Sequence, residues 1–295
     1  EILRCLVGSE MCIRDRFYYV QTREAGVLEC RARGRFRRGI GAPLVGDLVR
    51  VQPQREGYAL IDEILPRKNA LVRPQAANID RLVLVLAASA PQPDWLLADK
   101  LLIEAALLHI APLLLLNKCD RADEGIRAAF LADYAAFETL CVSTRTGLGL
   151  DALRERLSTG VSCFAGQSAV GKSSLINALI PGLALETGGL SRRTDRGRHT
   201  TRHAELLPFL DGAVLDTPGF SLFEPGALEQ AALDACYPEF AGLPERCRFA
   251  GCLHVAEPDC AVKDMVAAGG MSAARYARYV QLAREFEQRR KHRYD

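Results

Sequence analysis

No apolar run in the 295 residues approaches the roughly 20 that span a bilayer. Ile110 to Leu116 is far too short, and Pro112 interrupts it. The opening segment lacks the long apolar stretch of a secretory signal, so a cytoplasmic address and no membrane partner are expected. Charge of one sign is not in excess either. Lys and Arg number 38 against 36 Asp and Glu, a net of +2, so any nucleic-acid signal must lie in how charge is distributed. What is present, 49% hydrophobic and 25% charged residues, suffices to bury real cores. The length fits about two domains.

Cysteine is not scarce. Ten cysteines would suggest disulfides in a secreted chain, but four ligand-type residues cluster as Cys247-x4-Cys252-x-His254-x5-Cys260. Three thiolates and one imidazole have the number and softness that zinc takes, and they close a tetrahedron with no position left for water. A single structural zinc is expected there. Gly251 and Pro258 mark turns, and the segment has little apolar content. Metal binding, worth about 10–16 kcal/mol in small modules, would replace the missing core. Cys30, Cys119, Cys141, Cys163 and Cys236 lie among apolar neighbours and read as small buried hydrophobes without chemistry.

Gly166, Gln167, Ser168, Ala169, Val170, Gly171, Lys172 and Ser173 match G-x-x-x-x-G-K-[ST]. In that loop glycines free the backbone to wrap NH groups around phosphate oxygens at a helix N-terminus. Lys172 would reach the β and γ phosphates, and Ser173 would ligate magnesium. Val161 to Ala165 reads as a buried strand before the loop and Ser174 to Leu179 as a helix after it, the frame this motif requires. Downstream, Gly212-Ala-Val-Leu-Asp216-Thr217-Pro218-Gly219 is an apolar strand ending in an acid. Asp216 would stand in the outer shell of the magnesium, with the Gly219 NH at the γ-phosphate.

Asn117-Lys118-Cys119-Asp120 follows the continuous apolar run Ala111 to Leu116. Such a run suits a strand buried on both faces of a parallel sheet, and its carboxyl end is where open α/β sheets bind ligands. The Asp120 carboxylate can accept from the ring NH and the exocyclic amine of guanine. Adenine offers neither donor, and the unpaired acceptor discriminates strongly. Asn117 would hold the loop and the base, while the Lys118 stem covers the ring. Ser143-Thr-Arg-Thr-Gly147, after strand-like Thr139 to Val142, would touch the guanine carbonyl through its backbone.

The polar, glycine-rich segment from Gly188 to Thr201 reads as a first switch, in which Thr200 or Thr201 closes on magnesium and the γ-phosphate; Thr201 is preferred. His199 beside them either is a solvated loop histidine or helps to orient the attacking water. The glutamine that usually does this should follow Asp-x-x-Gly, but Phe220 stands there. An apolar ring cannot orient water, so slow intrinsic hydrolysis and help from a partner are expected.

The base-recognition tetrapeptide precedes the phosphate loop, the reverse of the ordinary order, which marks a circularly permuted GTPase. Before Ile79 the texture differs. Phe17 to Val20, Val27 to Cys30, Leu48 to Val51 and Tyr58 to Ile61 are short strand candidates, suggesting a small closed sheet, OB-like or SH3-like. Arg31, Arg33, Arg35, Arg37 and Arg38 surround Phe36, a mixture that suits RNA phosphates and bases but equally a solvated face. Pro66 to Pro74 is a linker, Leu82 to Leu86 begins the α/β sheet, and Trp95 to Leu108 reads as its first helix. Arg275 to Arg293 is helix-compatible and increasingly basic; Tyr276, Tyr279, Val280, Leu282 and Phe286 would seat it, leaving Arg289, Arg290, Lys291 and Arg293 in water.

From about Phe17 onward the chain resembles the ribosome small subunit-dependent GTPase A family, also called RsgA, YjeQ or EngC. The resemblance rests on Arg33-Gly-Arg-Phe-Arg37, Pro43-Leu-Val-Gly-Asp47, Leu71-Val-Arg-Pro74, Asn78-Ile-Asp80, the permuted motifs, Gly197-Arg-His-Thr-Thr201 and the cysteine cluster. It implies a multi-domain α/β chain: an N-terminal OB-fold barrel (17–70), a central permuted GTPase domain (71–224) and a C-terminal zinc-binding helical domain (225–295). It also implies a monomer that assists late maturation of the 30S subunit, hydrolysing GTP to GDP when that subunit stimulates it, with barrel and zinc domain on 16S rRNA. His199 matches the family's switch histidine. Residues 1–16 do not resemble the family's opening strand; Cys5-Leu-Val-Gly-Ser-Glu-Met-Cys-Ile-Arg-Asp15 reads as translated sequencing adapter, leaving that strand missing or replaced. Because of the permutation, the second switch runs through Phe220 to Glu224 into the C-terminal domain, where movement would reposition the zinc module. Two other classes compete: a permuted GTPase for the large subunit, whose known forms lack the basic β-domain and zinc cluster, and a non-enzymatic, nucleotide-gated RNA-binding module.

Overall fold

Leu82 to Leu86 and Leu113 to Leu116 form the centre of a sheet covered on both faces. In the computed structural model, which describes residues 2–8, 17–22, 26–36, 41–54, 58–71, 75–180, 182–183, 205–216 and 228–291, these runs lie in β8 (Arg81–Ala87) and β9 (Ala111–Asn117). The order is β10 (Thr139–Cys141), β9, β8, β11 (Thr159–Ala165), β13 (Asp211–Asp216) and β12 (Glu205–Phe209). All pairs are parallel except β12 with β13.

Alternation along each strand sends residues to opposite faces. Leu82, Leu84 and Leu86 pack with α1 (Trp95–Leu107) and with Phe130 of α2 (Glu124–Asp133). Val83 and Val85 pack with Leu153 of α3 (Leu150–Arg156) and Leu175 of α4 (Lys172–Leu179). Helices on both faces make a doubly wound sheet, and the parallel strands all end on one edge.

Ahead of it, β1 (Ile2–Gly8), β2 (Phe17–Gln21), β3 (Val27–Ala32), β4 (Leu48–Pro53) and β5 (Ala59–Ile64) follow the order β1-β2-β3-β5-β4, and β4 returns to β1. The closed five-strand ring buries Val20, Cys30, Val49 and Ile61. Its first position is filled: Ile2–Gly8 pairs with β2 and β4, and Val7 reaches Glu205 of β12. The expected missing strand is therefore replaced by this segment. A two-strand ladder, β6 (Ala70–Leu71) with β7 (Ala76–Ala77), carries the chain across to the large sheet. Buried Asp47 takes both Nε and Nη2 of Arg67, at 2.7 and 2.8 Å, and Asn78 donates to the Gly46 carbonyl at 3.0 Å. These bonds fasten the ring to the linker.

Of the arginines around Phe36, Arg31 and Arg33 have described side chains. The Arg31 guanidinium lies over Phe17 and Tyr58 at 4.7 and 4.8 Å, Arg33 pairs with Asp62 at 3.0 Å, and Phe36 packs on the core of the ring. Arg37, Arg38 and the Arg35 side chain lie outside the described residues.

The C-terminal part comprises α5 (Gln230–Ala235), α6 (Ala261–Ala267) and α7 (Ala273–Lys291). Tyr279, Leu282 and Phe286 of α7 are buried, as their helical spacing predicts. Arg275 is buried too, at 1% exposure. It donates to Asp99 of α1 at 2.6 Å and Glu239 at 2.7 Å, and faces the rings of Tyr134, Phe137 and Tyr237. One turn on, Arg278 pairs with Asp99 and with Asp133 of α2. The basic end of α7 is not left bare in water: Arg289, Arg290 and Lys291 pair with Glu285, Glu229 and Glu287.

Candidate functional site

Three loops at the carboxyl edge of the sheet meet. Register alignment of Ala87 with Asn117 and of Leu116 with Cys141 brings the strand ends level. Beyond β11 the chain turns at Gly166, φ 128°, where a Cβ would stand 2.3 Å from the Val85 carbonyl oxygen. It closes at Gly171, φ 101°, where a Cβ would stand 2.5 Å from Asn117 Nδ2. Both positions require glycine. Val170 between them is buried and Ser168 and Ala169 are exposed, so the loop is anchored at its end and open along its middle. Lys172 opens α4, and its Nζ donates to the Gly166 and Gln167 carbonyls at 2.7 and 2.8 Å. Ser173 and Ser174 follow in the first turn.

The tetrapeptide after β9 bonds to this loop. Asn117, 1% exposed, donates to the Val170 carbonyl at 2.9 Å, and its Oδ1 has no partner among the described residues. Lys118, at φ 63°, donates from Nζ to the Ala169 and Ala90 carbonyls at 2.8 and 2.7 Å. Its stem thus crosses from one loop to the other. The Gln167 amide accepts from Asp94 NH at 3.1 Å and donates to the Gln92 carbonyl at 3.0 Å, tying the loop to the start of α1.

Asp120 receives the Ser143 hydroxyl at 2.6 Å and Arg145 Nε at 2.6 Å. The Ser143 hydrogen bond, with Arg145 beside it, holds the Asp120 carboxyl below the usual carboxylate range. It is therefore an ionised acceptor at neutral pH. Sequence reasoning assigned Ser143 a backbone contact; the structure adds a side chain that orients the acid.

His199, Thr200, Thr201, Gly219 and Phe220 lie outside the described residues, as does the rest of the expected path from Phe220 to Glu224. Asp216 ends β13 beside β11, so its backbone stands at the same edge as the phosphate loop.

Some distance along the chain, Cys247, Cys252, His254 and Cys260 place four ligand atoms within 4.8 Å of one another. Cys247 Sγ to Cys260 Sγ is 3.8 Å; His254 Nδ1 lies 3.5 and 3.3 Å from these sulfurs. A tetrahedron with metal–sulfur bonds near 2.3 Å and metal–nitrogen near 2.0 Å has edges of about 3.5–3.8 Å, so the donor set fits a closed zinc site. The other imidazole nitrogen, Nε2, faces Asp234 Oδ2 at 3.3 Å, the outer partner that commonly orients a ligating histidine. Gln230 and Tyr279 in turn donate to Asp234 at 2.7 and 3.0 Å. Sequence reasoning missed Asp234, which stands 20 residues ahead of His254 and belongs to no local spacing pattern.

A phosphate loop, a base-reading tetrapeptide and its supporting serine, joined at one edge of a doubly wound sheet but encoded in rotated order, define a circularly permuted GTPase. The family model described as RsgA GTPase matches residues 64–225, and that of the RsgA N-terminal domain matches 15–61. Among curated proteins, the small ribosomal subunit biogenesis GTPase RsgA of Caldanaerobacter subterraneus subsp. tengcongensis is 44% identical, over 94% of this chain and 95% of its own. That of Geobacillus sp. strain WCH70 is 43% identical, over 93% and 95%. Among solved structures, YjeQ from Thermotoga maritima superposes with a TM-score of 0.81 at 34% identity, covering 97% of this chain and 99% of its own. YloQ, described as a circularly permuted GTPase, gives 0.78 at 32%, covering 98% and 96%. The chain belongs to the RsgA GTPase family.

Proposed function

We propose that this GTPase acts in the cytoplasm on the small ribosomal subunit, as its curated relatives are named for doing, and that the subunit stimulates its hydrolysis of GTP to GDP. The observation that carries the reading is the direct bonding of the tetrapeptide to the phosphate loop, through Asn117 to Val170 and Lys118 to Ala169, with Ser143 holding Asp120. In this reading Asp120 selects guanine, Lys118 covers the base, and Gly166 to Ser174 wrap the phosphates with Lys172 on the β and γ groups. Ser173 and Thr201, with Asp216 behind, would hold magnesium, which would supply positive charge to neutralise the phosphates. His199 and Thr201 serve hydrolysis, and Gly219 meets the γ-phosphate. The ring of five strands, with OB topology, and the C-terminal part contact 16S rRNA from a monomer, with the GTPase domain between them at 71–224. Zinc closes the Cys3His cluster.

GTP turnover measured alone, with 30S and with 50S particles tests this. Stimulation by 30S and not by 50S is the expected result. Stimulation by 50S alone assigns a large-subunit role, and none by either assigns a nucleotide-gated RNA binder.

A further inference from the structure

The third residue of the base-reading tetrapeptide is a cysteine, and a second cysteine stands beside it. Cys119 Sγ lies 3.0 Å from the Leu116 carbonyl oxygen. Leu116 is the register partner of Cys141 on the adjacent strand, about 4.8 Å across. The Cys119 NH donates to the carbonyl of Val142, the residue after Cys141, at 3.1 Å. Both side chains pack on the same core cluster, and both are half-buried rather than sealed. Neither is among the Cys3His ligands.

We propose that Cys119 and Cys141 are an oxidisable dithiol whose closure to a disulfide disables guanine-nucleotide binding. A hydroperoxide is the oxidant. The Cys141 sulfur attacks the peroxide oxygen, breaking the O–O bond to give a sulfenic acid and water; the Cys119 sulfur then displaces hydroxide from it, and the Cys119 thiol proton leaves with that hydroxide as a second water. Two thiols and one hydrogen peroxide become one disulfide and two waters. Burial, then the neighbouring Cys141, pushes the Cys119 thiol up to about 12. Cys119 therefore rests protonated and acts second, and the pair responds to sustained rather than brief oxidation.

Closure disturbs the site because of where Cys119 sits. The two sulfurs must come to about 2.05 Å, and the Cys119 Sγ contact with Leu116 is lost. Lys118 precedes it in a left-handed conformation, φ 63°, and Asp120 follows it. Any displacement passes directly to the residue that crosses the loops and the residue that reads the base. Ser143, which holds Asp120, lies two residues beyond Cys141 and is drawn the same way. Leaving a buried hydrogen-bonding group unpaired costs about tenfold in affinity or more, so a loss of GDP affinity of at least about tenfold is expected.

The inference rests on the reading of Asp120 as the base-selecting acid, and the two fail separately. Full-length zinc-loaded protein is treated with hydrogen peroxide; non-reducing peptide mapping locates disulfides, and GDP affinity is measured before oxidation, after it, and after dithiothreitol. A Cys119–Cys141 linkage, with affinity lost on oxidation and restored by reduction, is expected; Cys141→Ser should keep its affinity through the same treatment, with Cys141→Val as the alternative should the serine variant not fold. Absence of that linkage from the maps overturns the proposal, as does equal loss in the Cys141 variants, which assigns the damage to oxidation at other residues. Reduced protein that binds ADP as tightly as GDP overturns the Asp120 reading instead, and mapping of the linkage does not depend on it.

Discussion

Asp120 shows how neighbours fix one side chain. Its carboxylate is ionised because the Ser143 hydroxyl and Arg145 donate to it, and an ionised acceptor suits the two donors of guanine. Asp120→Asn replaces one acceptor by a donor, and the preferred base should change from guanine to xanthine in competition binding; unchanged guanine preference would refute this role. Glu104 is the opposite case, a carboxyl on α1 at 5% exposure whose Oε2 has no partner among the described residues. Burial pushes it up to about 7 from an ordinary 4.5. Between these values the native state holds a proton that the unfolded chain has lost, so stability falls as pH rises through that window. Glu104→Gln should flatten the fall, worth roughly 1–3 kcal/mol after allowance for residual solvent, in urea titrations at pH 5 and pH 8. The residues of the phosphate loop and the tetrapeptide were legible because local spacing encodes them: Gly171 stands against Asn117, but each sits in its own short pattern. Asp234 and Arg275 were not, because their partners lie far away in sequence and only packing brings them together.

Among the elements, α1 touches both ends of the molecule's business. It starts beside Gln167 of the phosphate loop, and its middle meets α7 through Asp99, Lys100 and Ile103. The C-terminal part is therefore tied to the guanine side of the sheet, whatever path runs through the second switch. Arg275→Met should leave Glu239 buried without its cation and Asp99 with Arg278 alone, costing about 3–5 kcal/mol, and should release α7 to proteolysis under conditions where the parent resists. Strands β8, β9 and β11 were readable as apolar runs ending in motifs. β12 was not, since Pro208 within it argues against a central strand; it lies beyond β13 and bonds to β1 only at Val7. β1 does not resemble the family's opening strand in sequence, yet Ile2–Gly8 fills that strand position through its backbone pairing with β2 and β4.

At the scale of the whole chain, permutation leaves the edge that carries the phosphate loop and the tetrapeptide intact because a sheet is defined by neighbours in space, not by chain order. In the C-terminal part the cluster of Cys247, Cys252, His254 and Cys260 packs with a core that includes Tyr237, Phe240, Tyr279 and Phe286. Chelation of the metal should raise hydrogen exchange across 244–262 while GDP affinity stays within about twofold; loss of nucleotide binding on chelation would contradict this independence. The ribosomal role rests on relatives, but the pocket stands on this chain's own geometry. Calorimetric titration of the intact protein with GTP and with ATP, magnesium present, addresses it directly. GTP should bind at least about a thousandfold tighter, the discrimination expected when a buried acceptor loses its donors. Equal affinities would mean that Asp120, Lys118 and Asn117 do not form a guanine site.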